Sequence, residues 1–244
     1  TARARAAVPG PAVRAALALC LLMLWMTGAR AANEPLAIVR EISFEGNKTT
    51  QPKTMLREMV IHVGDPADPQ KIERSRQAIQ DLSLFRSVQV RQEPLPDGVR
   101  LVITVREKYY VLPYPRLSAN VDGQYSYGGA LDWNNVAGLN HSLDLQVSQG
   151  SPNRENYGQQ TSYTGSYTAP FIFDSPYAVT LSSSISRQPM TNPATQLPYV
   201  ERFKNGEVDV TRTYSNGGPA SQGWTVGGGL LSTHENRDGP GAAP

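Results

Sequence analysis

The residue types that most often do chemistry are present in this sequence, but they are not arranged for it. The three histidines, His62, His141 and His234, lie far apart, and none belongs to a His-x-x-x-His pair, the spacing that places two imidazoles on one helix face to bind zinc. Cys20 is the single cysteine, which excludes an intramolecular disulfide and a cysteine-based metal site. We therefore expect no metal site in this sequence.

Sequences that bind phosphate or present a nucleophile are also missing. The glycine run at 227–229 lacks the Lys-Ser/Thr of a phosphate-binding loop and fits a kink or turn in a strand better. No G-x-S-x-G motif presents a nucleophilic serine. Asp65 and Asp68 are neighbouring carboxylates, but Asp68 precedes Pro69 as an N-cap precedes a helix. The sequence predicts no catalytic residue, no enzymatic activity and no cofactor.

The first 31 residues are predicted to be a secretory signal peptide. They contain arginines and no acidic residue, an apolar run at 15–26, and small residues ending at Ala31, after which we expect cleavage. The run is too short to span a bilayer, which argues against an uncleaved anchor, and Leu19 stands where a lipoprotein signal needs a small residue before Cys20. Without these arginines the chain is slightly acidic, so we expect no nucleic-acid partner.

Residues 36–108 have the pattern of a small soluble α+β domain. Its strands are marked by alternating apolar side chains, and its helices by an N-cap, an early proline and an apolar stripe. The predicted elements are a strand at 38–44, helices that begin after the caps Thr50 and Asp68, and strands at 87–93 and 99–106. The predicted order is therefore β-α-α-β-β.

From residue 116 to residue 244 the composition shifts to Ser, Thr, Tyr and Gly. Leu143, Leu145 and Val147 alternate with polar residues, which gives that strand one face for lipid and one for water. The predicted strands are 116–127, 129–135, 141–149, 158–169, 177–188, 200–214 and 222–233. The pattern predicts an antiparallel transmembrane β-barrel, and a soluble β-sandwich, whose strands alternate in the same way, is the alternative.

Two further predictions concern the ends of this barrel segment. Residues 109–115 are predicted to be a linker, because Pro113 and Pro115 cannot donate ladder hydrogen bonds. Barrels in lipid need at least about eight strands, because an open edge leaves backbone groups unpaired. The strand count and the polar, glycine- and proline-rich tail at 234–244 therefore predict a truncated sequence.

Three stretches of the α+β domain resemble a POTRA (polypeptide-transport-associated) domain. They are IVREISFEGNKTT at 38–50, DPADPQKIERSRQAIQDLSLFRSVQV at 65–90 and LVITVREK at 101–108. They combine a Gly-Asn turn after the first strand, a helix ending in Leu-Phe, and a hairpin whose second strand ends in a Val-x-Glu pattern. A generic α+β fold is the alternative.

The strands that follow resemble the start of the barrel in the outer-membrane assembly and bacterial surface antigen superfamily. The matching stretches are YSYGGALDWNNVAGLNHSLDLQV at 125–147 and SYTGSYTAPFIFDSPYAVTLSSSI at 162–185. The resemblance implies a bacterial outer-membrane protein with its POTRA domain in the periplasm, which assists insertion or translocation of other outer-membrane or secreted proteins. Its implied partners are unfolded client polypeptides and outer-membrane lipid. Periplasmic accessory proteins are a further possible class of partner. A two-partner secretion pore for one dedicated client, or a passive barrel, are the alternatives.

The resemblance also points to one strand as a binding surface. In a POTRA-like sheet the last strand lies centrally, so the strand before it has a free side. The client-binding hypothesis names the residues of this strand: Ser87, Val88, Gln89, Val90, Arg91, Gln92 and Glu93. The free N–H and C=O groups of such an edge can take up an extended peptide of variable sequence by β-augmentation. The alternative is that its polar side chains only protect the edge from aggregation.

Overall fold

The computed structural model describes residues 36–119, 125–150 and 159–242, and the predicted signal peptide at 1–31 lies outside these ranges. From Ala37 onward the described residues form one compact unit that contains two sheets. The elements are β1 (Val39–Glu45), α1 (Pro52–Leu56), α2 (Pro69–Asp81), β2 (Phe85–Leu95), β3 (Gly98–Glu107), β4 (Val111–Ala119), β5 (Tyr125–Val136), β6 (His141–Gly150), β7 (Thr161–Ala169), β8 (Tyr177–Thr191), β9 (Pro198–Tyr214) and β10 (Trp224–Asp238).

The first sheet has the order β1-β3-β2, with β3 parallel to β1 and antiparallel to β2. The predicted β-α-α-β-β order is therefore confirmed, and the last strand of the domain is central. One apolar cluster joins Met55 of α1 and Ile79 of α2 to Phe85, Leu101 and Ile103 of the sheet, and all five side chains are fully buried. Since a one-residue slip would turn these strand side chains to the opposite face, their burial fixes the strand register.

The two helix caps have different outcomes. Asp68 accepts a hydrogen bond from the backbone N–H of Gln70 at 2.8 Å, so the predicted cap of α2 is confirmed. The predicted cap of α1 is wrong, because Gln51 precedes that helix and no side chain caps it. The Thr50 side chain instead contacts the second sheet, as described below.

The second sheet contains β4 to β10 in chain order, and every neighbouring pair is antiparallel. The predicted fold class, a POTRA-like domain followed by part of an antiparallel barrel, is confirmed. In the described part of the chain this sheet is open, with β4 and β10 at its edges. No helix within the described ranges is long and apolar enough to cross a membrane.

The first strand of the second sheet begins at Val111, which corrects two predictions. Residues 111–115, predicted as linker, lie in β4, and the predicted strand 116–127 covers the end of β4 and the start of β5. The N–H of Asn134 donates to the carbonyl oxygen of Tyr110 at 2.7 Å, so Tyr110 and every second residue after it bond toward β5. Both prolines fall between those positions and need no ladder partner, which is why a strand forms here.

The seven strands present an apolar face and a polar face. The cross-strand register places apolar side chains of neighbouring strands side by side: Leu145 lies opposite Leu131, Tyr167 opposite Leu181, and Val179 opposite Val210. On the other face Ser166 meets Ser182 at 3.3 Å and Thr168 meets Thr180 at 3.2 Å, measured between hydroxyl oxygens. This is the alternation of a barrel wall, in which lipid covers one side and water the other.

Candidate functional site

The predicted client-binding strand forms one edge of the POTRA-like sheet. All seven residues from Ser87 to Glu93 lie in β2, and in the described chain β2 pairs only with β3. The structure therefore places the proposed residues at a strand edge.

The residues of β2 divide into two groups by the direction of their backbone groups. The N–H of Val99 in β3 donates to Ile38 ahead of β1, and the N–H of Lys108 donates to Leu84 ahead of β2. Even-numbered residues of β3 therefore bond toward β2, and their partners are Ser87, Gln89, Arg91 and Glu93. The outward backbone groups belong to Val88, Val90 and Gln92, and we call these three residues the β2 edge.

Both ends of the β2 edge are already restricted. Arg76 of α2 lies 3.5 Å from the carbonyl oxygen of Val88 through its Nη1, so a guanidinium covers one outward acceptor. The next outward position after Gln92 is Pro94, which has no N–H to donate. A complete donor and acceptor pair is therefore offered by Val90 and Gln92, which limits an added strand to a short ladder.

A second candidate region is the junction between the POTRA-like domain and the turn after β5. The side-chain amide of Asn135 donates to Oγ1 of Thr50 at 2.8 Å, and the Thr50 hydroxyl also contacts the Tyr110 hydroxyl at 3.0 Å. Asn135 and Thr50 are buried. On the other side Asn135 Oδ1 accepts the N–H of Asn140 at 2.9 Å, so one amide joins the turn to the domain.

Backbone contacts reinforce this junction at Gly138. Its carbonyl oxygen accepts the N–H of Gln51 at 2.9 Å and the hydroxyl of Thr54 at 2.8 Å. Gly138 has φ +76°, and a Cβ added there would lie 2.0 Å from the carbonyl oxygen of Thr49. Only glycine fits this close approach without displacing the backbone.

Glu107, the last residue of β3, holds the loop that carries Thr50. Its carboxylate accepts the backbone N–H of Thr50 at 2.7 Å and that of Thr49 at 3.1 Å. Burial raises the pKa of Glu107, but hydrogen bonds from the Thr50 hydroxyl and from the backbone of residues 48–50 outweigh it and leave the pKa below its ordinary value. The carboxylate is therefore ionised at neutral pH and acts as a structural acceptor.

α1 and the two residues that follow it contact two more turns on the same side of the sheet. Glu58 is fully buried, and its Oε2 accepts both the N–H and the hydroxyl of Ser221, at 2.9 and 2.7 Å. The guanidinium carbon of Arg57 lies 3.8 Å from the ring centre of Phe171, and Lys53 pairs with Asp174 at 2.9 Å. Burial lowers the pKa of Arg57, against the attraction of Glu58 and Asp174.

These contacts attach the POTRA-like domain to the turns after β5, β7 and β9, which lie on the same side of the sheet. The sequence analysis did not predict that these turns dock on α1 and the residues that follow it. Asn135, Gly138, Glu58 and Ser221 were missed as site residues. One signal in the sequence could have indicated this contact. The charged pair Arg57-Glu58 lies directly beside the apolar stripe of α1, and a helix face that packs against a core is otherwise expected to be apolar.

No metal site accompanies these contacts. Within the three described ranges, no three His, Cys, Asp or Glu side chains are grouped closely enough to hold a metal ion. The candidate site consists of strand edges and a polar junction.

Comparison with known families identifies the first domain. Residues 37–108 match the family model described as "POTRA: Surface antigen variable number repeat". Residues 37–108 are a POTRA domain. This segment covers β1 to β3 and the helices between them, so the recognition from the three sequence stretches is confirmed.

Two curated relatives extend the comparison. The chain is 27% identical over 115 residues to the outer membrane protein assembly factor BamA of Neorickettsia risticii, and 36% identical over 70 residues to BamA of Nitratidesulfovibrio vulgaris. The matched segments span 46% and 29% of this chain. They span only 15% and 9% of the relatives' own lengths, so most of each relative has no counterpart in the match.

Solved structures share the whole arrangement of POTRA domain and sheet. BamA from Haemophilus ducreyi lacking POTRA domains 1–3 aligns with a TM-score of 0.55 at 19% identity, over 83% of this chain and 36% of that one. CdiB from Acinetobacter baumannii aligns with a TM-score of 0.53 at 19% identity, over 82% and 38%. The resemblance to the outer-membrane assembly and bacterial surface antigen superfamily is therefore confirmed for the POTRA domain and for the fold of the sheet that follows it. The POTRA match and the BamA relatives confirm the predicted location in the bacterial outer membrane, with the POTRA domain in the periplasm.

Proposed function

We propose that this protein assists the insertion or translocation of other outer-membrane or secreted proteins. Client polypeptides reach the POTRA domain in an unfolded state and pair with the β2 edge. They then pass to the first strand of the barrel, which the structure identifies as β4 rather than the predicted 116–127. The observation that carries this proposal is a pair of strand edges, those of β2 and β4, which have no neighbouring strand within the described residues and lie on two domains joined by a buried polar junction.

The chemistry of a strand edge suits such a client. Backbone N–H and C=O groups are common to every sequence, so an edge binds extended segments with little regard to their side chains. The β2 edge offers a short ladder, since Arg76 and Pro94 restrict its ends. A short ladder gives weak, reversible binding, which is what transfer to a second strand requires.

The first test is made in isolated outer membranes that contain the full-length gene product. A heat-modifiable band whose POTRA domain is open to protease on the periplasmic side supports the barrel arrangement. Depletion of the protein should then lower the amounts of several other outer-membrane proteins. Unchanged amounts of all of them, with this barrel still folded, would indicate a passive barrel and contradict the proposal.

A second test uses a pair of variants to examine the β2 edge itself. Val90→Pro removes an outward donor from the β2 edge, whereas Gln89→Pro removes a donor that faces β3 and serves as a folding control. We expect Val90→Pro to reduce client insertion while the POTRA domain remains folded. Normal insertion by a folded Val90→Pro variant would show that the edge serves only to resist aggregation.

The second candidate function is a two-partner secretion pore that exports one dedicated client. It is favoured by the likeness to CdiB, whose TM-score of 0.53 is close to the value of 0.55 for BamA. The same depletion distinguishes the two functions. Loss of one secreted protein with normal levels of outer-membrane proteins indicates the pore, and loss of many outer-membrane proteins indicates the assembly role.

A further inference from the structure

The outer edge of β4, which has no neighbouring strand in the described part of the chain, is not a regular strand edge. The backbone hydrogen bond from the N–H of Asn134 to the carbonyl oxygen of Tyr110 shows that the even-numbered residues of β4 point their N–H and C=O groups toward β5. The odd-numbered residues therefore point these groups outward. Pro113 and Pro115 are both odd-numbered, and both are exposed. Two consecutive outward positions of this edge therefore have a carbonyl acceptor but no N–H donor.

This gap lies on the periplasmic side of β4. Val111 directly follows Tyr110, which packs against the POTRA core, so the prolines lie near the periplasmic end of the edge, with Val111 as the single complete outward residue of β4 before them. A strand laid along them would leave its own carbonyl unpaired opposite each proline, which is costly in lipid. Beyond them, Leu117 and Ala119 offer both donor and acceptor outward.

We propose that the two prolines divide the β4 edge into two parts with different tasks. Along the proline segment, residues 111–115, a client strand passes without a fixed ladder. Along the pairing segment, residues 117–119, its backbone is held in register. The ligand is an extended segment of an unfolded client polypeptide, because the edge offers backbone groups only. This inference rests on the proposed function, since it assumes that client strands reach β4.

The division of the β4 edge also explains how a strand that is paired with β4 can be released from it. Any strand of the same barrel that lies beside β4 meets the same gap, so only the short pairing segment holds it. A client strand can therefore replace it by exchanging few hydrogen bonds. A β4 edge with complete outward donors would hold its neighbour along the full strand and leave no passage.

Disulfide cross-linking tests this division in the full-length protein. Leu112→Cys reports on the proline segment and Ser118→Cys on the pairing segment, in a Cys20→Ser background. Both residues bond inward to β5, so the substitutions leave the outward edge intact, and such positions bring Cα atoms of the next strand to about 4.5 Å, within disulfide range. The probe client is an unfolded eight-stranded outer-membrane protein with single cysteines moved one residue at a time along its last strand.

We expect Ser118→Cys to cross-link one client position strongly, with loss of the cross-link at its neighbours. Leu112→Cys should give weak cross-links spread over many client positions. Replacing both prolines, Pro113→Val with Pro115→Val, should sharpen the Leu112→Cys pattern to one position. Pro189→Val in β8, a strand that does not contact β4, is the matched control and should change neither pattern. Heat modifiability of every variant verifies folding.

Two results overturn the inference in distinguishable ways. Sharp cross-links at both cysteines in the protein with native prolines would show that the prolines do not interrupt pairing, while client capture at β4 still holds. Absence of client cross-links at both cysteines, with the barrel folded, would contradict both the proposed function and the inference drawn from it.

Discussion

The POTRA domain and the barrel sheet direct their apolar side chains in opposite ways. In the POTRA domain Phe85, Leu101 and Ile103 are fully buried in one cluster with the helices. In the sheet, Leu181 is 46% exposed and Val210 is 42% exposed. The first region is therefore stabilised by its own core, and the second by its backbone ladder and by lipid. The same residue types thus have opposite roles on the two sides of Tyr110.

The largest difference is expected at the core of the POTRA domain. Phe85→Ala removes a fully buried ring and should destabilise this domain by about 3–5 kcal/mol, which should increase its cleavage by protease. Phe173→Ala is the control, because that ring is 94% exposed at a periplasmic turn. Limited proteolysis of the full-length protein measures the POTRA domain, and heat modifiability measures the barrel. A protease-resistant Phe85→Ala variant would contradict the buried position.

Charge tests the two faces of the sheet. Leu181→Arg places a guanidinium on the apolar face of β8 and should cost about 2–4 kcal/mol if that face contacts lipid. Ser182→Arg, one residue along the same strand, points to the polar face and should be tolerated. Equal effects of the two substitutions on heat modifiability would show that the faces are assigned wrongly.

The junction is sensitive to one methyl group. Gly138→Ala combines a positive φ with a close approach to the Thr49 carbonyl, and we expect it to weaken the junction by about 2 kcal/mol. In Gly218→Ala the added Cβ meets nothing within 4 Å, so this variant is the control. Faster protease cleavage near Tyr110 in the first variant only is the expected result. Equal cleavage of both would place the junction elsewhere.

The smallest expected effect depends on pH. The pKa of Glu107 is lower in the folded protein than its ordinary value of 4.5, so its hydrogen bonds stabilise the fold above that pH and are lost as the pH falls through the folded pKa. Glu107→Gln should therefore cost about 1 kcal/mol at neutral pH, a modest value because solvent screens a half-buried group. The difference in proteolytic susceptibility between Glu107→Gln and the native protein should be largest at pH 7 and should shrink as the pH is lowered below 4.5. A difference that does not change with pH would contradict a role for the charge.

Local patterns predicted most of the secondary structure. Alternation at Leu143, Leu145 and Val147 predicted a two-faced strand, and Asp68 before Pro69 predicted the start of α2, because both signals depend on residues close in sequence. The start of β4 was missed for the opposite reason. A proline ends a strand only where its missing N–H faces a neighbour, and that direction depends on pairing with β5, a partner distant in sequence.

The candidate site shows the same difference between features that depend on nearby residues and features that depend on distant partners. The sequence identified Ser87 to Glu93 as an edge strand, since domain resemblance places the last strand at the centre. It did not identify Thr50, Asn135 or Glu58 as junction residues, because their partners are separated from them by 85 positions for Thr50 and Asn135 and by 163 for Glu58 and Ser221. Nothing in the local sequence distinguishes a threonine that caps a helix from one that contacts a distant turn.

By itself, the sequence determined which segments become strands and helices, and which side chains are apolar on each face. These properties follow from side-chain chemistry and from the periods of two residues in strands and 3.6 residues in helices. Only the tertiary structure decided which backbone groups face outward at β2 and β4, and which turns dock on the POTRA domain. A strand edge exists because a neighbour is present on one side and not on the other, and that is a property of the sheet rather than of the strand.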